Sequence, residues 1–556
     1  MSVPIDLRPD SLTFADIVAV ARHEARVRVP DDVRAAVAAS RRAVDALAHA
    51  NRPVYGVSTG FGALAQRQVP AELRTQLQRS LIRSHAAGVG EPVEREVVRA
   101  LMLLRARTMA TGRTGVRAEV LDTYVAMLNA GITPVVHEFG SLGCSGDLAP
   151  LSACALAAMG EGPVLVRGAS GPGDDAAASG ASHAAAGASG GEFEMPAAEA
   201  LAAADITPLV LAEKEGLALV NGTDGMLGML ILALFDLENL FTAADLTAAM
   251  SVEAQRGTDR VFMPDLHEPL RPHPGQAASA ANMREALAGS PMVAAHKDST
   301  HLVQDAYSLR CAPQVTGAAR DTAAFAARTA ARELRAAIDN PVVLDDGSVS
   351  SNGNFHGAPL AYALDFLAIV AADVASIAER RTDRFMDVAR SQGLPPFLAA
   401  DPGVDSGLMI AHYSQAGIVS EMKRQATPAS VDSIPSSAMQ EDHVSMGWTA
   451  ARKLRRSVTG LARVLGIEYS AAARAADLRE EAPGPVTSAL VAELRTAVPG
   501  PGPDRFQSPE LAEAVARVVD GRLVAAAEAV RPLQHTLVDT DGAVLTGRLA
   551  EGSANR

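Results

Sequence analysis

The chain has 556 residues, 48% hydrophobic and 21% charged, which excludes a peptide, a minimal binding module and a wholly disordered polymer. Its 50 basic and 64 acidic residues leave a net charge of −14 with no basic cluster, so no nucleic-acid footprint is present. Three cysteines, Cys144, Cys154 and Cys311, are too few for a disulfide framework and fit a reducing cytosol, while the opening MSVPIDLRPDSLTF lacks the basic-then-apolar pattern of a secretion signal.

Divided by a typical domain of about 150 residues, the length gives three or four units. Aromatic residues are only 4%, and alanine and leucine fill long periodic stretches, so the predicted fold is all-α or nearly so. Residues 92–111 predict a packed helix, with a proline near its first turn and an apolar face through Val98, Leu101, Met102 and Leu104. Residues 167–191, RGASGPGDDAAASGASHAAAGASGG, have no apolar face to bury and predict a flexible surface insertion. Residues 358–379 are apolar on nearly every side, which places a helix at the centre of a bundle; Asp365 and Asp373 argue against a membrane span. Ser508-Pro509 supplies an N-cap and a first-turn proline to a last helical pattern, and the less periodic DGAVLTGRLAEGSANR is expected to fray.

Several short segments carry groups capable of chemistry. Tyr55 lies in a polar, glycine-rich loop, 55–62; as a base its phenol, with an ordinary pKa near 10, needs local positive charge or hydrogen-bond donors. His85 stands beside a helix end in 77–90, where a structural role is the ordinary reading. FGSLGCSGDLAPL, 139–151, is a glycine-rich turn; its Cys144 invites a nucleophile reading with His85 or His137 as base. Asn221 ends the segment 214–223. In 304–314, Tyr307 and Arg310 are three residues apart and on a helix share a side. Phe355 follows a polar turn in 351–357, and SSAMQEDHVSMGW, 436–448, is an acidic turn. No strand-linked GxGxxG element, phosphate-loop lysine or compact metal-ligating cluster stands out, so no external cofactor and no metal is expected.

In this order, and over about residue 10 to at least 500 outside the insertion, these segments resemble the aromatic amino acid ammonia-lyases, most closely the actinobacterial type of their histidine-specific branch. The resemblance implies a carbon–nitrogen lyase in which Cys144, Ser145 and Gly146 cyclise, with loss of two waters, to 4-methylideneimidazole-5-one. Three Ala-Ser-Gly triplets in the insertion, at 169–171, 178–180 and 188–190, lack the flanking GSLG and DLAPL, so context chooses 144–146. Most relatives carry alanine where Cys144 stands.

By the same resemblance, Tyr55 is the general base for the substrate β-proton, Arg310 holds the α-carboxylate, and Tyr307 organises the reaction centre. Asn221 and Gln440 bind the cofactor, Asn221 also bordering the substrate, and Phe355 lies near the reacting group. His85 and Glu441 each face an imidazole nitrogen, which favours L-histidine, converted to trans-urocanate and ammonia, over tyrosine or phenylalanine as substrate. Departures at Met439, Asp224 and Thr316 touch the pocket and leave the reaction class alone. The alternatives are a tyrosine or phenylalanine ammonia-lyase, a related aminomutase, or a non-enzymatic bundle on the same scaffold.

The implied fold is of the aspartase/fumarase-like superfamily: an N-terminal cofactor and substrate-loop portion, 1–222, then an elongated central helical bundle and C-terminal helical region, 223–556. A cytoplasmic homotetramer with composite active sites is implied as well.

Overall fold

The computed structural model describes residues 3–48, 59–60, 62, 66–167, 191–299, 303–537 and 542–543. The catalytic assignment to Tyr55, most of the insertion and most of the fraying tail fall outside these residues.

The fold is mainly α-helical. Its axis is the helix Asp224–Ala254, buried along nearly its whole length, as expected of a helix that is apolar all round. Around it run Ala312–Leu334, Ala358–Met386 and Gly447–Asp477, each of which packs on it. Pro313 and Pro359 sit in first turns, where the missing N–H costs nothing. Among the described residues, two helices are long and apolar enough to cross a membrane by composition, and both are packed within the bundle. The 358–386 helix is less central than its composition suggests. Tyr362, Phe366 and Ile369 form an outward stripe exposed by 49%, 45% and 41%, and Phe325 of the neighbouring helix stands beside Phe366.

Several charges inside the bundle are paired. Arg320, fully buried, donates to Glu238 at 3.0 Å and Asp245 at 2.9 Å. Glu238 also holds the C-terminal segment, accepting from the Leu537 N–H at 3.0 Å and the Thr536 N–H at 3.3 Å. His535 lies between Glu238 and Glu528, and hydrogen bonds to these two carboxylates raise its pKa to about 9. Its folded pKa exceeds the unfolded value of about 6.5, so its stabilisation is complete below that value and is lost as pH rises through about 9. The thermal midpoint of His535→Gln is therefore expected to lie below that of the parent near neutral pH and to approach it at about pH 10; equal midpoints at neutral pH would remove His535 from this role.

Short strands place the N-terminal elements. Val89–Pro92 pairs antiparallel with His137–Phe139, which brings the end of helix Arg74–His85 beside the chain entering the 140–147 turn. Pro92 therefore belongs to a strand, and the expected helix begins at Arg95 and runs to Ala110. A hairpin of Pro163–Arg167 with Glu192–Pro196 flanks the insertion. At the C-terminal end, Ser508 is the first helical residue and Gln507 takes the cap position, without a side-chain cap bond.

Candidate active site

The turn 141–147 lies where three bundle helices begin. The Asp147 carboxylate accepts the N–H groups of Gly225 and Met226, at 2.9 and 3.0 Å, in the first turn of helix 224–254. The Gly143 carbonyl accepts from the N–H of Gly357, which precedes helix 358–386, and from the Ser445 hydroxyl. The Leu142 carbonyl accepts from the N–H of Met446, which precedes helix 447–477. Three positive helix ends are thus directed at one loop, an environment that favours developing negative charge. Burial pushes the Asp147 carboxyl up to about 7, against the amides and the Ser141 hydroxyl that favour its charged form.

Cys144, Ser145 and Gly146 sit on this loop. Gly146 has φ +87°, and a Cβ there would overlap the Gly222 backbone, whose carbonyl accepts the Asp147 N–H at 2.7 Å. Only glycine fits, which is also what a ring closing through the Gly146 nitrogen needs. Cys144 is buried, and burial first, with the Glu441 carboxylate second, pushes its thiol up to about 12. A thiol so protonated is a poor nucleophile at neutral pH. Neither His85 nor His137 is hydrogen-bonded to it: His85 pairs with Ser84 and His137 with the Gly90 carbonyl.

Glu441 meets the tripeptide directly. Its Oε1 accepts from Ser145 Oγ at 2.5 Å; its Oε2 accepts from Cys144 Sγ at 3.3 Å and from Ser436 Oγ at 3.0 Å. Ser436 and Glu441 are also bridged through their backbones. Between them Ser437, Ala438 and Met439 all take positive φ, at 52°, 53° and 67°. Three successive non-glycine residues in that region are costly, and such strain persists where surrounding contacts hold the turn in place. Gln440, next to Glu441, is exposed, and its N–H bonds to the Ser437 carbonyl. His85 is half-buried; burial lowers its pKa, while a backbone hydrogen bond to Leu81 and then the Glu441 carboxylate act in the opposite sense. Phe355 lies in the loop entering helix 358–386, two residues before Gly357.

Asn221 is buried and donates to the Asn340 carbonyl at 3.4 Å, while Arg105, fully buried, donates to the Asn221 carbonyl at 2.7 Å. Asn352 bonds both Asn340 and the Asp339 carbonyl, so the Asn221 and Phe355 segments share one support. Arg105, Gly222, Asn340 and Ser445 were not singled out from the sequence. Their work is done on main-chain atoms, and only the glycine after Asn221 and the serine before Met446 lay inside segments already marked.

Tyr307 and Arg310 form a short helix with the guanidinium 4.8 Å from the ring centroid. Tyr307 is 72% exposed, and Arg310 Nε is buried without a hydrogen-bond partner. This pair lies at the other end of the bundle from the tripeptide. The Ser308 carbonyl accepts from Arg381, which pairs with Glu468, and Glu468 accepts from Ser251. Met226 touches the tripeptide loop, and 25 residues of α-helix separate Ser251 from it, about 38 Å at 1.5 Å per residue. Within one chain Arg310 and Ser145 do not meet. Thr316 is buried in the helix that follows, and among the described residues no group of three or more His, Cys, Asp and Glu is arranged to hold a metal ion.

Residues 12–496 match the family model described as aromatic amino acid lyase. The chain is 62% identical to the histidine ammonia-lyase of Streptomyces griseus over 93% of its own length and 97% of that protein's. It is 46% identical to the histidine ammonia-lyase of Gloeobacter violaceus, with coverage of 93% and 96%. Among solved structures, the tyrosine aminomutase of Streptomyces globisporus superposes with a TM-score of 0.86 at 35% identity, covering 96% of this chain and 100% of that one. The histidine ammonia-lyase of Trypanosoma cruzi gives 0.83 at 34%, covering 95% and 96%. The chain belongs to the aromatic amino acid lyase family and is a carbon–nitrogen lyase with that family's mainly α-helical fold.

Proposed function

We propose that the chain is a histidine ammonia-lyase, eliminating ammonia from L-histidine to give trans-urocanate. The observation that carries this reading is the Glu441 carboxylate bonded at the Cys144-Ser145-Gly146 turn, with His85 at the end of the helix that the 89–92 and 137–139 strand pair brings toward that turn. An imidazole has one N–H donor and one acceptor nitrogen, and a pocket offering a carboxylate and a second imidazole matches both, whereas a phenyl ring would leave them unpaired. The histidine ammonia-lyases among the relatives support the same choice.

A 4-methylideneimidazole-5-one formed from Cys144, Ser145 and Gly146 supplies an electrophilic carbon that makes the substrate nitrogen a better leaving group. Asn221 and Gln440 are assigned to its hydrogen bonding, and no external cofactor is invoked. Arg310 pairs with the α-carboxylate through its planar fork, and Tyr307 stands beside it. Phe355 lines the reacting end, while His85 and Glu441 orient the ring. Tyr55 takes the β-proton. Tyr55→Phe is expected to cut turnover under saturating histidine by about 100-fold or more; a rate near the parent's would remove Tyr55 from this role.

The separation of Arg310 from Ser145 supports an assembly in which each site draws on more than one copy, and a homotetramer is proposed. The exposed Tyr362, Phe366, Ile369 and Phe325 offer apolar surface for such contacts. The division near residue 222 is kept as a proposal, with the cofactor turn before it and the bundle after. The free cysteines suit a reducing cytoplasm.

The deciding experiment supplies L-histidine, L-tyrosine and L-phenylalanine in parallel and measures ammonia together with the organic product. Urocanate and ammonia from histidine alone are expected. A cinnamate-type product would indicate a different ring specificity, and a β-amino acid an aminomutase.

A further inference from the structure

The contact between Ser145 and Glu441 joins the serine of the tripeptide to a carboxylate that is itself anchored. With Ser145 as the encoded serine, its hydroxyl donates to Glu441 Oε1 at 2.5 Å, the short distance of a charge-assisted O–H···O⁻ bond. The other carboxyl oxygen is held from behind by Cys144 Sγ and Ser436 Oγ, and the turn carrying Glu441 is tied at both ends by backbone bonds between Ser436 and Glu441. One oxygen is therefore anchored and the other is aimed at the atom that self-processing must expel. We propose that Glu441 is the proton-transfer group for the dehydration of Ser145, acting on the chain itself before it acts on any substrate. This rests on the reading that residues 144–146 cyclise.

The chemistry balances without an external reagent. The Gly146 amide nitrogen bonds to the Cys144 carbonyl carbon, and that carbonyl oxygen leaves as the first water with the protons of the Gly146 and Ser145 N–H groups. The Ser145 Cα–H, now flanked by a C=N and a carbonyl, is acidified. Its proton passes to the Glu441 carboxylate and from there to Oγ as the Cβ–Oγ bond breaks. The second water departs, the exocyclic double bond forms, and the carboxylate ends as it began. Loss of Oγ then leaves Glu441 Oε1 without its donor and available to an incoming ring nitrogen, so the two roles follow in sequence on one group.

The test is the intact mass of the denatured full chain, followed at intervals after cell-free synthesis, for the parent, Glu441→Gln and Ser436→Ala. The parent is expected to lose two waters. Glu441→Gln, which keeps the shape of the side chain and removes its basicity, is expected to lose the second water about 100-fold or more slowly. Ser436→Ala, which frees the anchored oxygen and leaves the carboxylate in place, is expected to slow that loss measurably, by about three- to tenfold. Loss of both waters by Glu441→Gln at the parental rate overturns the proposal; if such a chain also fails to deaminate histidine, the assignment of Glu441 to substrate survives alone. A parent that loses no water refutes the cyclisation reading itself. Thermal unfolding monitors whether the variants fold, and if Glu441→Gln does not, a parental rate in Ser436→Ala counts against the proposal.

Discussion

Ser145→Ala is expected to block loss of the second water from the chain and to lower histidine deamination by about four orders of magnitude or more, with thermal unfolding close to that of the parent. The substitution removes one hydroxyl and leaves Glu441 with its donors Cys144 and Ser436. The main-chain bonds of the turn to Gly222, Gly357 and Met446 do not involve the serine side chain. Intact mass and a urocanate assay on the same preparation check both halves of this expectation. A Ser145→Ala chain that loses two waters, or one that deaminates at the parental rate, would refute an electrophile made at this position. Gly146→Ala reaches the same chemical end by another route: the left-handed φ and the overlap with Gly222 force the turn apart, so lost activity there comes with a lower thermal midpoint.

The second large effect is complementation. Arg310→Ala is expected to cost about 100-fold or more in kcat/KM, because a carboxylate otherwise held by a guanidinium is left unpaired. Co-assembling Arg310→Ala and Ser145→Ala protomers in equal amounts should then restore activity that neither variant has alone. If each site takes Ser145 from one copy and Arg310 from another, random mixing leaves about a quarter of the sites with both groups intact, one half multiplied by one half. Sites built within a single chain would recover nothing above the sum of the two variants. The axial helix gives the reason to expect recovery, since it holds these two residues at opposite ends of the bundle.

Much of this site was legible because each segment is short and contiguous. Tyr307 and Arg310, three residues apart, do share a side, and the ring and guanidinium meet. The acidic turn carrying Glu441 and the segment carrying Ser145 could be marked separately, yet their contact spans 296 positions and has no local signature. The same limit hid Arg105, whose fully buried guanidinium acts on the Asn221 and Ile338 carbonyls. In an arginine-containing apolar helix, nothing in the spacing separates such a residue from one that reaches for solvent. Proline suits a first turn, so the sequence predicts Pro92 within a helix; pairing with His137–Phe139 prevails, and the helix starts at Arg95. The composition of residues 358–379 predicts a central helix, whereas the outward stripe of Tyr362, Phe366 and Ile369 reflects a surface that an isolated sequence does not distinguish from a core.

The bonds that shape the 141–147 turn come from Gly222, Gly357, Ser445 and Met446, the last two some 300 positions downstream; the Ser445 contact alone spans 302. A nascent chain still on the ribosome lacks two of these four holders, Ser445 and Met446, until about four-fifths of it has been made. On the proposed cyclisation of residues 144–146, a centre shaped by these bonds would arm itself late, and a molecule truncated before Ser445 would stay inert toward the amines and thiols around it.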